Sequence, residues 1–420
     1  MSLPGPILIV SERPDRKLLT ALAGAGAFPV VESVLAEAAS AIVRVGPAAV
    51  LFLDPDPAPI RRLADELMDA IDAMPAPFMP VLAPVNDCGP TGVEMLPLHV
   101  SAPVEQIVAR LAAALRVRTL HATVLRRIDT LRGNGADVPQ LPETDPLGDA
   151  TVLVTGRGRN YPALTTAVGQ QVGLIGTLSV ETAARYLNDR DVDGIIIGEG
   201  FGPPTVDAFL TALGEDSRFR NLPVGIVPEI PAAIDRARLA GLEPVSGTPD
   251  EIAAHMMPLV RVHAFAARLR RHVASLDARG MIDPQTGLLT VAAFGRDLPR
   301  AIADSHARNI PMSIARFVLP PDLSRRARID AARLVSRLIR TADFACQAED
   351  GAITVVMAES ALRHSHVIAR RIASVLRHTM LDLENGHRME AMVTLASLKS
   401  TDSPQSLLAR VSECATAAAE

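Results

Sequence analysis

The sequence predicts an α/β chain in which two doubly wound parallel-sheet units precede a third, α+β unit. Three observations carry this. Short apolar runs alternate twice over with apolar-periodic stretches, a long amphipathic stretch closes each round, and the pattern changes after Gly280. The 420 residues suffice for two to four domains of roughly 100–200 residues each. The expected division is 1–135, 148–280 and 281–420.

In the first unit the strand-like runs are Ile7 to Val10, Ala48 to Leu53 (ending at Asp54) and Phe78 to Ala83, with helical stretches between them. Val104 to Arg132 closes it: Val104, Val108, Leu111, Leu115, Leu120, Val124, Ile128 and Leu131 recur at helical spacing over a length that one small sheet does not cover. The breaker-rich segment GNGADVPQLPETDPLGDA follows. The second round has runs at Val152 to Val154, Gly194 to Ile197 and Val224 to Val227. Its terminal helix is expected over Glu251 to Arg279, with Ile252, Met256, Leu259, Phe265, Leu269, Val273 and Leu276 on its apolar stripe. Two such helices either project and pair between subunits, giving a homodimer, or fold back on their own sheets.

Composition narrows the chemistry. Only Lys17 and Lys399 are lysines, against 40 arginines, so any step that needs an ammonium group has two candidates. Aromatic residues are 3% of the chain with no Trp, so the cores are aliphatic; with a net charge of −5 this disfavours nucleic-acid binding. Cys88, Cys346 and Cys414 form no metal-binding spacing and read as buried thiols in a reducing compartment. No apolar run approaches a membrane span of roughly 18 residues. A cytoplasmic protein is expected, and no metal.

Each of the first two units resembles the receiver domain of response regulators, a flavodoxin-like fold. The resemblance implies an acidic pair after the first strand, a phosphoacceptor Asp after the third, a hydroxyl after the fourth and a Lys before a Pro after the fifth. Ser11-Glu12 takes the first place and Asp54, the candidate phosphoacceptor, the second. Ala83 and Ala102-Pro103 stand where the hydroxyl and Lys-Pro belong. The second unit has Thr155-Gly156, Gly198 and Thr248-Pro249 at these places. Neither lysine lies near the end of either sheet, so no shift of alignment supplies the missing group. TGRGRN after Val154 lacks the third glycine of a dinucleotide fingerprint and reads as an ordinary strand-to-helix turn.

From Asp283 onward the chain resembles a GGDEF domain, the fold of diguanylate cyclases. The family opening D-x-L-T-G-L-x-N-R-x-x-F reads here Asp283-Pro-Gln-Thr286-Gly287-Leu288-Leu-Thr-Val-Ala-Ala-Phe294. Strands are expected at Pro311 to Ala315, Ile353 to Met357 and Val393 to Leu398. The resemblance also shows what is lost. Val318 and Pro320 stand near the positions of the metal-binding aspartates, and the signature loop reads Glu349-Asp350-Gly351, with acidic side chains where glycines let the backbone approach phosphates. A degenerate, non-catalytic domain is expected.

Six residues before Glu349, Asp343 ends Arg340-Thr-Ala-Asp343, which resembles the R-x-x-D site at which GGDEF domains bind cyclic di-GMP; Arg371 matches a further ligand-binding arginine of the family. If 340 and 343 share a helix face, the guanidinium can donate to guanine O6 and N7 while the carboxylate accepts from N1–H and N2–H. Arg62-Leu-Ala-Asp65 and Arg190-Asp-Val-Asp193 have the same pattern without the context, and His364-Ser-His366 is too closely spaced to share a helix face as a metal pair. As a whole the chain resembles response regulators of the PleD/PopA type. The expected function is a non-catalytic cyclic di-GMP effector that recruits a protein partner (an adaptor, regulator or protease-recruitment factor), with recruitment to a cell pole as a further expectation. The alternative is a nucleotide-independent scaffold.

Overall fold

The computed structural model describes residues 4–13, 16–54, 56, 58–74, 78–85, 95–99, 102–133, 138–227, 239, 241–278, 280–308, 311–340, 342–358, 360–379, 381–382, 387–388 and 390–417. Cys88, Thr341 and the linker residues 134–137 lie outside them, as does the side chain of Cys414.

The first sheet is built from β1 (Pro4–Val10), α1 (Arg16–Gly24), β2 (Phe28–Ser33), α2 (Ala38–Val45), β3 (Ala49–Phe52), α3 (Ala58–Arg62), α4 (Ala64–Asp72), β4 (Val81–Val85) and β5 (Leu96–His99), closed by α5 (Val104–Gly133). All strand pairs are parallel and the order is β2-β1-β3-β4-β5, the 2-1-3-4-5 order of doubly wound sheets. β3 is buried along its whole length (Ala49, Val50, Leu51, Phe52) because helices cover both faces.

The pattern repeats in β6 (Thr151–Thr155), α6 (Tyr161–Gly169), β7 (Gly173–Thr177), α7 (Val180–Asp189), β8 (Gly194–Ile197), α8 (Pro203–Glu215), β9 (Val224–Ile226) and β10 (Leu242–Pro244), closed by α9 (Pro249–Asp277). The order β10-β9-β8-β6-β7 is again parallel and corresponds strand for strand to the first. β2, β5, β7 and β10 went unread in the sequence; none carries an uninterrupted apolar run, as GLIGT and LEP illustrate. α9 continues through Pro258.

Residues 1–127 and 143–269 form one compact unit, and 128–142 with 270–420 a second. In the first, a single apolar cluster contains Leu111, Ala114 and Leu115 of α5 together with Met256, Val260 and Ala264 of α9. Phe265 meets Phe78 and His121 edge-on at 5.8 and 5.1 Å. Most of each long helix is therefore folded into this unit, and its last turns belong to the second.

The two modules also share a buried charge cluster. Arg110 on α5 donates to the Pro97 carbonyl and to Glu243 on β10, whose other oxygen meets His255 Nε2 on α9 at 3.2 Å. Glu243 has no exposed surface, and Arg110 and His255 are each 5% exposed. Burial pushes the Glu243 carboxyl up, but the Arg110 charge and the hydrogen bonds from His255 and Arg110 outweigh it and hold the group below its ordinary value.

The second unit holds α10 (Val291–Arg308), β11 (Ser313–Val318), α11 (Arg325–Leu338), β12 (Phe344–Gln347), β13 (Ile353–Met357), α12 (Leu362–Thr379), the two-residue pair β14 (Leu381–Asp382) and β15 (His387–Arg388), β16 (Met392–Ser397) and α13 (Pro404–Ala417). Its main sheet, β12-β13-β11-β16, is antiparallel. Ala331 and Val335 of α11 and Ile368 and Ile372 of α12 pack on one face against Phe317 and Val355. Leu298 of α10 and Leu407 of α13 pack on the other against Ile314 and Val356. No described helix is long and apolar enough to cross a membrane.

Candidate functional site

α11 begins at the Ser324 cap, whose hydroxyl accepts from Ala327 N–H, and ends at Leu338, with Ile339 already extended at φ −73°, ψ 151°. Arg340 and Asp343 therefore lie beyond the helix, in the connection to β12, and do not share a helix face as the sequence suggested. Their environments differ. Arg340 is exposed, whereas Asp343 is 7% exposed and turned inward. The physical reason is that Asp343 satisfies backbone donors left by the helix end and the strand end: its Oδ2 accepts from Arg340 N–H at 3.4 Å and its Oδ1 from Ala358 N–H at 3.1 Å.

Arg371, on α12, reaches across to α11, where its Nη2 donates to the Leu338 carbonyl at 3.0 Å. That carbonyl is one of the four acceptors a helix C-terminus leaves without an intrahelical partner, and a cation is favoured there. The fold thus brings Arg340, Asp343 and Arg371 to one place. Burial pushes the Asp343 carboxyl up, against the opposing pull of the two backbone donors and of the Arg340 and Arg371 charges. The Arg340 guanidinium forms no ion pair or hydrogen bond among the described residues. A cationic fork, a partly desolvated carboxylate and a second arginine stand together.

Glu349, Asp350 and Gly351 form the turn of the β12–β13 hairpin, closed by Ala348 N–H to Ala352 O at 2.8 Å and Gly351 N–H to Ala348 O at 2.9 Å. Such a three-residue loop needs a left-handed residue at its third position, and Gly351 has φ +83°. Asp350 is paired with Arg316 of β11 and accepts from Ala352 N–H. Arg328 lies 3.0 Å from where a Cβ on Gly351 would be, and ties Pro321 and Leu323 to α11 through their carbonyls. Arginines thus surround the turn. Sequence reasoning missed Arg316 and Arg328; the signal for Arg316 is a lone charge inside the strand SIARFV.

Asp54 follows β3, half-buried, and accepts from Ser11 Oγ at 3.1 Å and from Glu12 N–H at 3.1 and 3.3 Å. The carboxylate ties the ends of β1 and β3 together. In the TGRGRN turn, Arg157 and Gly158 N–H both donate to the Glu199 carbonyl, at 2.8 and 2.9 Å, so these two donors are already used within the fold. Asp193, of the Arg190 pattern, is buried against His263 and Thr151 N–H, while Arg62 and Asp65 are both exposed. His364 and His366 are exposed on α12.

No protein-family model and no curated protein match the chain. Among solved structures, GGDEF domains match it. The coiled coil and GGDEF domain of DgcB from Caulobacter crescentus, in complex with c-di-GMP, is 17% identical, with 36% of this chain and 86% of that one covered, at TM-score 0.32. The FimX GGDEF domain of Pseudomonas aeruginosa is 15% identical over 33% and 93%, at TM-score 0.30. Diguanylate cyclase SiaD of P. aeruginosa, in complex with its activator SiaC, is 15% identical over 36% and 62%, at TM-score 0.31.

Proposed function

We propose that the chain is a non-catalytic cyclic di-GMP effector, built from two receiver-derived modules and a degenerate GGDEF domain, that couples ligand at Arg340, Asp343 and Arg371 to recruitment of a protein partner. The observation that carries the reading is the convergence of two arginines on one partly desolvated carboxylate, at the positions where the sequence resembles the R-x-x-D site. Arg340 supplies a planar fork for a guanine edge or phosphate, and Asp343 retains lone pairs beyond its two backbone bonds to accept guanine N–H groups. The absence of catalysis is read from the neighbouring turn. There Asp350 is held by Arg316, and Glu349 and Asp350 present carboxylates where a nucleotide phosphate would have to approach.

For the receiver-derived modules, the support is the parallel 2-1-3-4-5 order and the placement of Asp54 after β3, beside Ser11 and Glu12. Titration calorimetry of the full chain with cyclic di-GMP tests the central claim. Saturable binding that is weakened in Arg340→Ala is expected; no binding by the intact chain, or equal binding by the variant, overturns it. The nucleotide-independent scaffold is favoured by a different observation, the shared core and buried Arg110–Glu243–His255 cluster that fix two modules into one body. It predicts partner capture that is indifferent to cyclic di-GMP.

A further inference from the structure

α12 is an unusually one-signed element: LRHSHVIARRIASVLRHT has four arginines, three histidines and no acid. Its buried side is apolar, through Ile368, Ala369, Ile372 and Leu376. Outward it presents Arg363, His366, Val367 and Arg370, all exposed, with Val367 at 65%. These four follow the i, i+3, i+4, i+7 spacing of a single helix face. Arg363 and Arg370 form no ion pair or hydrogen bond among the described residues, so no described residue neutralises their charge.

The opposite sign is displayed, at matching spacing, by α4 of the first unit. ADELMDAID has four acids and no base. Leu67 and Ala70 are buried, while Asp65, Glu66, Asp69 and Asp72 are exposed and form no ion pair among the described residues. Asp65 and Asp72 are two helical turns apart, as are Arg363 and Arg370, a separation of about 10 Å at the helical rise. Laid side by side in either direction, the two faces pair acid with arginine at both ends, and the antiparallel arrangement also sets Val367 against the half-buried Met68 between them.

We propose that the α12 face of one copy docks on the α4 face of a second copy. The contact is heterologous, since each copy brings a different patch, and so it propagates from copy to copy unless it closes into a ring. Exposed pairs of this kind are individually weak and screened by salt, which makes the association weak, rapid and steered by charge.

Sedimentation velocity on the full chain tests this. Self-association that rises with protein concentration at low salt is expected, with an association constant about tenfold or more lower at physiological ionic strength. Arg363→Gln/Arg370→Gln and Asp65→Asn/Asp72→Asn, which neutralise one face without creating the opposite charge, are each expected to sediment as monomers with wild-type circular dichroism, because all four side chains are exposed. Mixed in equal amounts, the two variants form a one-to-one complex and nothing larger, since each retains one intact face. A wild-type chain that stays monomeric at low salt, a variant that still self-associates, or a mixture that stays monomeric overturns the proposal.

Discussion

Glu243→Gln removes the negative charge from a side chain with no exposed surface and leaves Arg110, 5% exposed, with the Pro97 carbonyl and an amide that cannot replace a carboxylate toward both Arg110 and His255. Breaking a buried ion pair from one side costs about 3–5 kcal/mol, because the remaining charge stays desolvated without its partner. The first unit spans residues 1–127 and 143–269, a size at which each kcal/mol moves the midpoint by about 2–4 °C, so a fall of about 6–20 °C is expected. Thermal melting, with hydrogen exchange on α5 and β10 peptides to assign the transition, reads it. Arg110→Met with Glu243→Leu should recover part of the loss, since it removes the uncompensated charge while the buried His255 ring and the Pro97 carbonyl still lose their partners. The acid limb supplies a second readout. Glu243 has its folded-state pKa lowered from an ordinary 4.5, so its stabilisation is fully present above 4.5 and is lost as pH falls through the lower folded value; Glu243→Gln lacks that limb. A single variant losing less than about 1 kcal/mol, or a double variant as unstable as the single, would refute the reasoning.

Arg340→Ala should leave the melting midpoint unchanged, because the side chain is exposed and has no hydrogen-bond or ion-pair partner among the described residues, while weakening cyclic di-GMP by about 1–3 kcal/mol, roughly 5- to 150-fold, in calorimetric titration. Asp343→Ala should lose binding and also destabilise the second unit by about 1–3 kcal/mol in urea melts, since Arg340 and Ala358 N–H lose their acceptor. Gly351→Ala, at φ +83° with its Cβ 3.0 Å from Arg328, should cost about 1–2 kcal/mol by the same assay. Cys346 is 3% exposed and burial pushes its thiol up to about 12, so mass spectrometry should find its peptide unlabelled by a thiol reagent until the protein is denatured.

Where an element buries one continuous apolar run, its place was legible from residues alone: Gly194–Ile197 and Ile353–Met357 are strands at the bounds read from the sequence. Strands with interrupted runs, such as GLIGT and LEP, are held by pairing with neighbours distant in the chain, which no local pattern reports. The candidate site divides the same way. The residue types and spacing marked Arg340, Asp343 and Arg371, but α11 stops at Leu338, and only the need of Arg340 and Ala358 N–H for an acceptor turns Asp343 inward.

By itself the sequence determined the alternation that makes two parallel sheets, the change of pattern after residue 280, and a scarcity of lysine that leaves arginine as the cation for every site described above. The tertiary structure alone decided that the two modules share one core, that Glu243 sits without exposure between Arg110 and His255, and that Arg371 reaches the end of α11. Those facts depend on residues far apart in the chain meeting where water is excluded. There the cost of leaving a charge or a backbone group unpaired, and not local propensity, selects the arrangement.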